Sequence, residues 1–483
     1  MEGCHTQSCG FLWGERAARA DHTGQTVDDA GDNDAQSVEL PFWTGRPKMT
    51  NGPQTRHGHD GTRTKMAELT AEEVHADVTA WAAANWNPED TVAEWWQKLA
   101  DSGYSLPMLP ETMGGKGYGR ELAMAVNRAL ADSNVLGPPT GLGAMLAAPT
   151  FAVHASTELQ KEFIPGIING QDAWCQLFSE PQAGSDLAGL QTKAIRDGDE
   201  WIISGQKVWT SGGQHARWGM LLARTNPEAP KHQGITYFAF DMDQPGVDVR
   251  PLREMTGRAM FNEVFIDEAR VPDANVIGGL NNGWAVANTT LMVERASIGG
   301  GGTAGLALAL PGKIAGQLGR RVGDFTDGRS VGREGVGGGS SSGTLGMLRS
   351  LATELGKNTD PIIRQGLAEL YILGELNRFN ISRSRAHQNL TGVEGNLAKM
   401  LLTHSLRRSR DIANEIIGPH GTLWGPDSMS KGAIQEMTVF SPGPAIYGGT
   451  DQVQRNIVGE RGLGLPKEPG PDKNLPFSQL LKN

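Results

Sequence analysis

The segment LFSEPQAGSD at positions 177–186 is the part of this chain best suited to bind a polar ligand. Its Gly and Pro residues favour a turn, in which backbone N–H groups are left free of secondary structure. Free N–H groups and hydroxyls stabilise negative charge, so the segment suits a ligand with a polar heteroaromatic ring and phosphates. An ordinary Gly/Ser/Asp turn has the same composition, and the segment alone does not distinguish the two interpretations.

Further motifs lie on both sides of this segment. GQKVWTS at 205–211 follows it, and GPHG at 418–421 and YGGT at 447–450 lie near the C-terminus. Other matching positions are Pro110, Gly114, Gly115, Gly117, His154, Thr157, Glu158, Gln160, Pro165, Gly170, 261–265 and 270–272. In this order, and over roughly residues 70 to 468, the motifs resemble the acyl-CoA dehydrogenase family. Gln182 stands where that family usually has Gly.

The resemblance implies two α-helical domains flanking a middle β domain, with FAD bound between subunits. Family positions that surround the isoalloxazine ring, or lie near other parts of the cofactor, match Leu177, Ser179, Ser185, Trp209, Thr210, Ser211, Glu415, Gly418, Thr450 and Gln452. Ser185 also matches a contact to the acyl-CoA, and 415–419 a segment that reaches the adenosine of FAD in a neighbouring subunit. The family's Arg-x-x-Phe-Gly element for the FAD pyrophosphate is not recognisable near 320–327, so that role has no assigned residue.

The implied reaction needs a carboxylate that removes the α-proton of the thioester while a hydride leaves the β-carbon. In many family members this Glu follows the Tyr of the C-terminal motif, where this chain has Gly448. LMVER at 291–295 resembles instead the Leu-x-x-Glu-Arg context of the isovaleryl-CoA and long-chain members, which predicts Glu294 as the base. We expect the Gly448 backbone N–H to bind the thioester carbonyl, and Arg295 to contact CoA or support Glu294.

Other functions remain open at this point. Nitroalkane oxidases and flavin monooxygenases of the same fold also resemble these motifs and need no CoA. A non-catalytic subunit of a heteromeric acyl-CoA dehydrogenase would explain the missing carboxylate at 448, although Glu294 weighs against it. A purely structural helical protein would explain neither 179–186 nor 209–211.

Composition narrows the class of protein. The chain has 483 residues, 38% hydrophobic and 20% charged, and a net charge of −10, which argues against a nucleic-acid binder. No apolar run is long enough to span a bilayer. The three cysteines, Cys4, Cys9 and Cys175, form no CxxC pair, and no clustered ligands predict a metal site. Cys175 is expected to be buried and unreactive, and His215 to be structural. Trp95 and Trp96 are expected to belong to the core. Without an apolar signal segment at its start, the chain is expected to be cytoplasmic.

Periodicity places these motifs on secondary structure. Residues 1–65 are polar and aperiodic and are expected to be disordered; 66–172 read as a helical domain that begins with a Thr70–Glu73 capping box. Within 66–172, one helix is predicted over 120–132. Residues 173–278 contain short β-rich runs, among them 200–203 and 207–209, which predict a small antiparallel β domain.

Helical periodicity returns over 279–483, interrupted by a Gly/Ser-rich loop near 320–345. It resumes at Leu348 and includes stretches over 396–405 and 410–417. The predicted fold is multidomain α+β: an N-terminal α-helical domain, a middle antiparallel β domain and a C-terminal α-helical bundle.

Partners follow from the resemblance. FAD sites completed across subunits imply a homodimer or homotetramer. An electron-transfer flavoprotein is the expected electron acceptor, and acyl-CoA the substrate.

Overall fold

A computed structural model describes residues 69–299, 309–326, 341–386, 393–467, 469–470 and 474–481. The predicted disordered extension over 1–65 lies outside the described residues, as do Cys4 and Cys9. So does most of the predicted Gly/Ser-rich loop. Within the described part of the chain, no helix is long and apolar enough to cross a membrane.

The N-terminal domain is helical because its apolar residues recur on one face of each helix. Thr70 and Thr91 begin their helices with capping boxes. In each, the threonine hydroxyl accepts from the backbone N–H of the Glu three residues later, and the Glu carboxylate accepts from the threonine backbone N–H. Trp95 and Trp96 are fully buried, as predicted for core aromatics. The helices are α1 (Ala71–Asn85), α2 (Val92–Ser102), α3 (Arg120–Asp132), α4 (Ala148–His154) and α5 (Thr157–Ile168).

The middle domain is an eight-stranded sheet. Its strands are β1 (Trp174–Leu177), β2 (Lys193–Asp197), β3 (Glu200–Ser211), β4 (Trp218–Arg224), β5 (Ile235–Asp241), β6 (Val247–Leu252), β7 (Phe261–Pro272) and β8 (Val276–Ile277). The order is β6-β7-β3-β2-β4-β5-β8, with β1 beside β4. Pairing is antiparallel except where β1 runs parallel to β4 and β2 meets β4 at one position. The predicted antiparallel domain is therefore present, with β1 added in parallel.

Strand β3 differs from its prediction. The sequence predicted two short strands, 200–203 and 207–209, but the backbone continues through both as one strand against β7. The pairing register shifts between Ile203 and Gly205 and again between Lys207 and Thr210. A Cβ atom at Gly205 would collide with the Thr192 side chain, so glycine lets the neighbouring strand approach. These bulges hide the continuous strand from a simple alternation pattern.

The C-terminal region is helical, with α6 (Gly283–Gly299), α7 (Gly323–Thr326), α8 (Ser341–Glu354), α9 (Pro361–Ala386), α10 (Glu394–Ile417), α11 (Ala433–Phe440) and α12 (Asp451–Ile457). Two helical stretches predicted over 396–405 and 410–417 form the single helix α10. Helix α8 begins at Ser341, before the predicted return of periodicity at Leu348. The predicted order of helical, β and helical domains is confirmed.

Strand alternation at β1 assigns each side chain to one of two apolar clusters. Cys175 and Leu177 belong to an apolar cluster that they form with side chains of the other strands. Trp174 and Phe178 pack on the opposite side, in a cluster that also contains Val286 and Val293 of α6. One face of β1 therefore lies against the first C-terminal helix, and this junction positions the candidate site.

Candidate active site

Backbone and side-chain hydrogen bonds join the two central motifs. The Val208 N–H donates to the Ser179 carbonyl at 2.9 Å, and the Lys207 ammonium donates to the Phe178 carbonyl at 3.2 Å. Residues 177–180 and 207–211 therefore lie side by side, as expected if both surround one ligand. This places Ser179, Trp209 and Ser211 in one neighbourhood.

The turn within the first motif explains how Gln182 is tolerated. Glu180 and Ala183 exchange both of their backbone hydrogen bonds, at 3.1 and 3.0 Å, which closes a tight turn. Gln182 lies at this turn with its side chain exposed, and its backbone does not adopt a positive φ. Since no left-handed conformation is required there, a side chain can replace glycine without strain.

Glu180 and Lys207 form a buried ion pair beneath the site. The Glu180 carboxylate accepts from the Lys207 ammonium and from the backbone N–H groups of Gln191 and Thr192. Burial alone would raise the Glu180 pKa, but the Lys207 charge and these hydrogen bonds together lower it. Lys207 also donates to the Leu222 carbonyl. The pair thus fixes the motif to the sheet.

Trp209 presents the feature most suited to an aromatic ligand. Its φ is +62°, which is rare for a bulky residue, and its side chain is 57% exposed. The indole packs edge-to-face on Phe261, with ring centroids 5.8 Å apart. Strained backbone conformations are concentrated at functional sites, so Trp209 is a candidate ligand contact.

The other residues predicted around the flavin ring differ in accessibility. The side chains of Ser179 and Ser211 are partly exposed, whereas those of Leu177 and Thr210 are fully buried. The Thr210 hydroxyl is enclosed, without a hydrogen-bond partner among the described residues. Leu177 and Thr210 would therefore contact a cofactor through backbone atoms, or support the residues that contact it. The exposed indole and the two accessible hydroxyls fit an isoalloxazine ring, which is both aromatic and polar.

A cavity of about 210 Å³ adjoins these residues. It is lined by Ser211, Trp174, His215 and the loop 140–144, among others. Within the described part of the chain, the Trp174 Nε1 and the His215 Nδ1 are buried without hydrogen-bond partners. His215 was predicted to be structural, and it belongs to no group of potential metal ligands among the described residues.

Glu294 lies on α6 where that helix meets β1. Its half-buried carboxyl group faces the side chain of Gln176 on β1. Burial raises the Glu294 pKa, while the Gln176 amide and the Arg295 charge oppose the rise. A carboxylate with a raised pKa is more basic than usual, which suits proton abstraction.

Arg295 connects this helix to the C-terminal bundle. Burial lowers the Arg295 pKa, the Glu294 charge raises it, and the nearby Arg461 charge lowers it. A Cβ atom on Gly395 of α10 would lie 3.6 Å from the Arg295 Cβ, so the two helices are in close contact. Arg295 is therefore held among protein groups and supports Glu294 electrostatically.

Gly448 lies in a turn that the Gln454 side chain holds through a hydrogen bond. Its φ is +63°, and its carbonyl accepts from the buried Gln454 amide at 2.7 Å. The Gln454 side-chain oxygen in turn accepts from Asn396, which follows Gly395 on α10. The Gly448 N–H makes no hydrogen bond within the described residues. This N–H is available for a ligand.

The remaining predicted site residues lie on the C-terminal helices or at the motif surface. Thr450 caps α12, and its hydroxyl accepts from the Val453 N–H at 3.2 Å. Gln452 is exposed, Glu415 is exposed at the end of α10, and Gly418 ends that helix with φ +54°. Ser185 is exposed beside Asp186, whose carboxylate pairs with Lys231 at 2.5 Å. Among the described residues, no hydrogen bond or ion pair joins the Glu415–Gly418 end to the residues predicted to surround the flavin ring.

Arg320 and Arg321, from the segment where the family has its pyrophosphate element, contact the start of α2. The Arg320 carbonyl accepts from the Val92 N–H at 2.8 Å, and Arg321 pairs with Glu89. Both contacts tie 309–326 to the start of α2. The pyrophosphate contacts stay unassigned.

Sequence reasoning gave no role to Gln176, Glu180 or Lys207. Glu180 and Lys207 stood inside the two motifs, and a Glu and a Lys in otherwise apolar strand surroundings signal a buried pair. Gln176 was the polar residue between Trp174 and Phe178. Cys175 is buried as predicted, and burial raises the pKa of its thiol to about 12, which leaves it unreactive.

Comparisons with known proteins match residues in all three predicted domains. Family models of the acyl-CoA dehydrogenase N-terminal, middle and C-terminal domains match residues 57–171, 175–269 and 356–463. Acyl-CoA dehydrogenase FadE34 of Mycobacterium tuberculosis is 46% identical over 373 residues, which cover 76% of this chain but only 46% of that protein. Acyl-CoA dehydrogenase IpdE1 of the same organism is 32% identical, over 77% of this chain and 88% of its own length.

A solved structure titled Tcur3481-Tcur3483 steroid ACAD has the same fold. The TM-score is 0.62 at 23% identity, over 82% of this chain and 98% of that chain.

Proposed function

Because this chain belongs to the acyl-CoA dehydrogenase family, we propose that it catalyses the FAD-dependent α,β-dehydrogenation of an acyl-CoA thioester to the trans-2-enoyl-CoA. Glu294 is the α-proton base in this proposal. The observation that carries it is a Glu on α6, in a Leu-x-x-Glu-Arg context, whose half-buried carboxyl has a raised pKa where α6 meets β1.

Different residues of the chain have separate roles in this reaction. Glu294 takes the α-proton, and the free N–H of Gly448 binds the thioester carbonyl, where negative charge builds as the proton leaves. A preorganised N–H at such a position is worth about 3 kcal/mol. FAD, when bound, supplies the acceptor for the hydride from the β-carbon. Trp209, Ser179 and Ser211 would hold its ring, and exposed Ser185 would contact the acyl-CoA.

Self-association and the electron acceptor belong to the same proposal. Helix α9 exposes several large apolar side chains, namely Ile362, Tyr371, Ile372, Leu376 and Phe379. An apolar helix face of this kind favours a protein partner, and a second copy would make the protein a homodimer or homotetramer. An electron-transfer flavoprotein is the proposed acceptor of the electrons.

Anaerobic titration of the purified flavoprotein with acyl-CoA thioesters tests the reaction. The panel includes straight, branched and ring-bearing acyl groups, because the similar solved structure is titled a steroid enzyme. Loss of the oxidised flavin absorbance with one class supports dehydrogenation and identifies the acyl preference. A bound flavin that every thioester leaves oxidised would favour the same-fold oxidase or the non-catalytic subunit, and a protein that binds no flavin would contradict the proposal entirely.

A further inference from the structure

Gln176 is a polar residue on an apolar face of β1. Its neighbours on that face, Trp174 and Phe178, belong to the apolar cluster that contains Val286 and Val293 of α6. Its register partner on β4, Met220, belongs to the same cluster. Because side chains alternate along a strand, Gln176 is directed toward α6.

Packing alone does not account for an amide at this position. A Leu or Met would continue the apolar face, whereas a half-buried amide costs free energy unless it has a polar partner. The Gln176 side chain faces the Glu294 carboxyl group across the junction of β1 and α6 and lowers the pKa of that carboxyl. The interaction with the Glu294 carboxyl therefore accounts for an amide at this position.

We propose that Gln176 is a positioning residue for the base, whose amide N–H groups hold one oxygen of Glu294 and leave the other directed at the α-proton of the substrate. This rests on the function proposed above. The amide has two effects: it fixes the orientation of the carboxylate, and it stabilises the charged form against the cost of burial. Arg295, on the same helix, is the charged group that acts on Glu294, and Arg461 acts on Arg295 in turn.

The test replaces Gln176 by Leu, which keeps the apolar face and removes the amide. We expect flavin reduction by the thioester to slow about 10- to 100-fold, as for a misplaced catalytic group. We also expect the rising limb of the pH–rate profile to move to higher pH, since the charged form has lost a hydrogen bond. Neither FAD content nor KM should change greatly. Gln97→Leu is the control and should leave the rate and the pH–rate profile unchanged, because the Gln97 amide also donates to a carboxylate, Asp101 at 2.8 Å, but lies on α2 outside the site motifs.

A second variant covers the case in which Gln176→Leu does not fold. Gln176→Glu keeps the shape and puts a second carboxyl beside Glu294, so the pH–rate limb should move upward further still. An unchanged limb and an unchanged rate in the folded variants would overturn the positioning role.

A readout independent of turnover separates the two proposals. In protein labelled with ¹³C at the Glu carboxyls, the signal lost in Glu294→Gln identifies the base, and Gln176→Leu should raise the pH at which that signal titrates. An unmoved titration overturns the role of Gln176. A moved titration in a flavoprotein that no thioester reduces overturns the proposed function instead.

Discussion

The Lys207 Nζ lies 2.9 Å from the Glu180 Oε1, and both side chains are almost fully buried. This ion pair joins two motifs 27 residues apart in the chain. Its four hydrogen-bond partners are backbone groups of residues 178, 191, 192 and 222. The pair therefore connects the 177–186 motif to the sheet.

Replacing Lys207 by Met should destabilise the protein by about 3–5 kcal/mol, because the Glu180 carboxylate would stay buried without its partner. Urea unfolding of the variant measures this loss. The control is Lys231→Met, which removes the more exposed pair with Asp186 and should cost about 0–1 kcal/mol. Equal losses of unfolding free energy in the two variants would show that the buried pair stabilises the protein no more than the exposed pair does.

Replacing Glu294 by Gln should slow flavin reduction by an acyl-CoA by roughly 10²- to 10⁴-fold while FAD stays bound. Stopped-flow absorbance at the flavin band measures the rate. In the parent protein the rate should rise with pH through the raised pKa of Glu294, because only the carboxylate accepts the proton. Undiminished reduction in the variant would remove Glu294 from the mechanism.

The same raised pKa fixes the sign of a stability effect. A carboxyl whose folded pKa is raised holds its proton longer in the folded state, so its contribution to stability is lost as pH rises through the folded pKa. Glu294→Gln should therefore be more stable than the parent at neutral pH, and the two should converge in acid. Thermal unfolding across this pH range checks the prediction; a gap that widens in acid would contradict it.

Replacing Trp209 by Ala should weaken FAD binding roughly tenfold, through loss of ring contact, but change the free energy of unfolding of the apoprotein by only about 0.5 kcal/mol, since the indole is exposed. Flavin titration and urea unfolding measure the two effects. Trp201→Ala is the control: this Trp is buried and donates to Asp273 at 2.7 Å, and its loss should cost about 3–5 kcal/mol. An unchanged FAD affinity in Trp209→Ala would exclude the indole from the site.

Replacing Gln454 by Leu should cost about 1–3 kcal/mol, because the carbonyls of Gly448 and Gly449 lose their buried donor. The freed turn should also lower kcat, because the Gly448 N–H is no longer held in place. Gln160→Leu is the matched control: it loses donation to two carbonyls in the N-terminal domain and should leave kcat intact. Equal kcat in both variants would argue against a catalytic role for the Gly448 turn.

Local chemistry made much of the fold predictable. The Thr70–Glu73 capping box needs only residues of one helical turn, and it forms as predicted. The α3 bounds also match the prediction, because its apolar spacing is regular. The predictions of the acyl-CoA dehydrogenase family, its oxidoreductase class and its three-domain fold are confirmed, since ordered motifs carry them. Residue roles at the site stay predictions.

The sequence by itself determined the order of domains and the motifs, and it predicted Glu294 as the base, because these depend on residue type and on spacing within short segments. Only the tertiary structure decided that Lys207 meets Glu180, that Gln176 meets Glu294 and that β3 is one bulged strand. Those outcomes depend on the register of one strand against another and on the packing of α6 on β1. Register and packing join residues far apart in the chain, and spacing within a segment does not encode them.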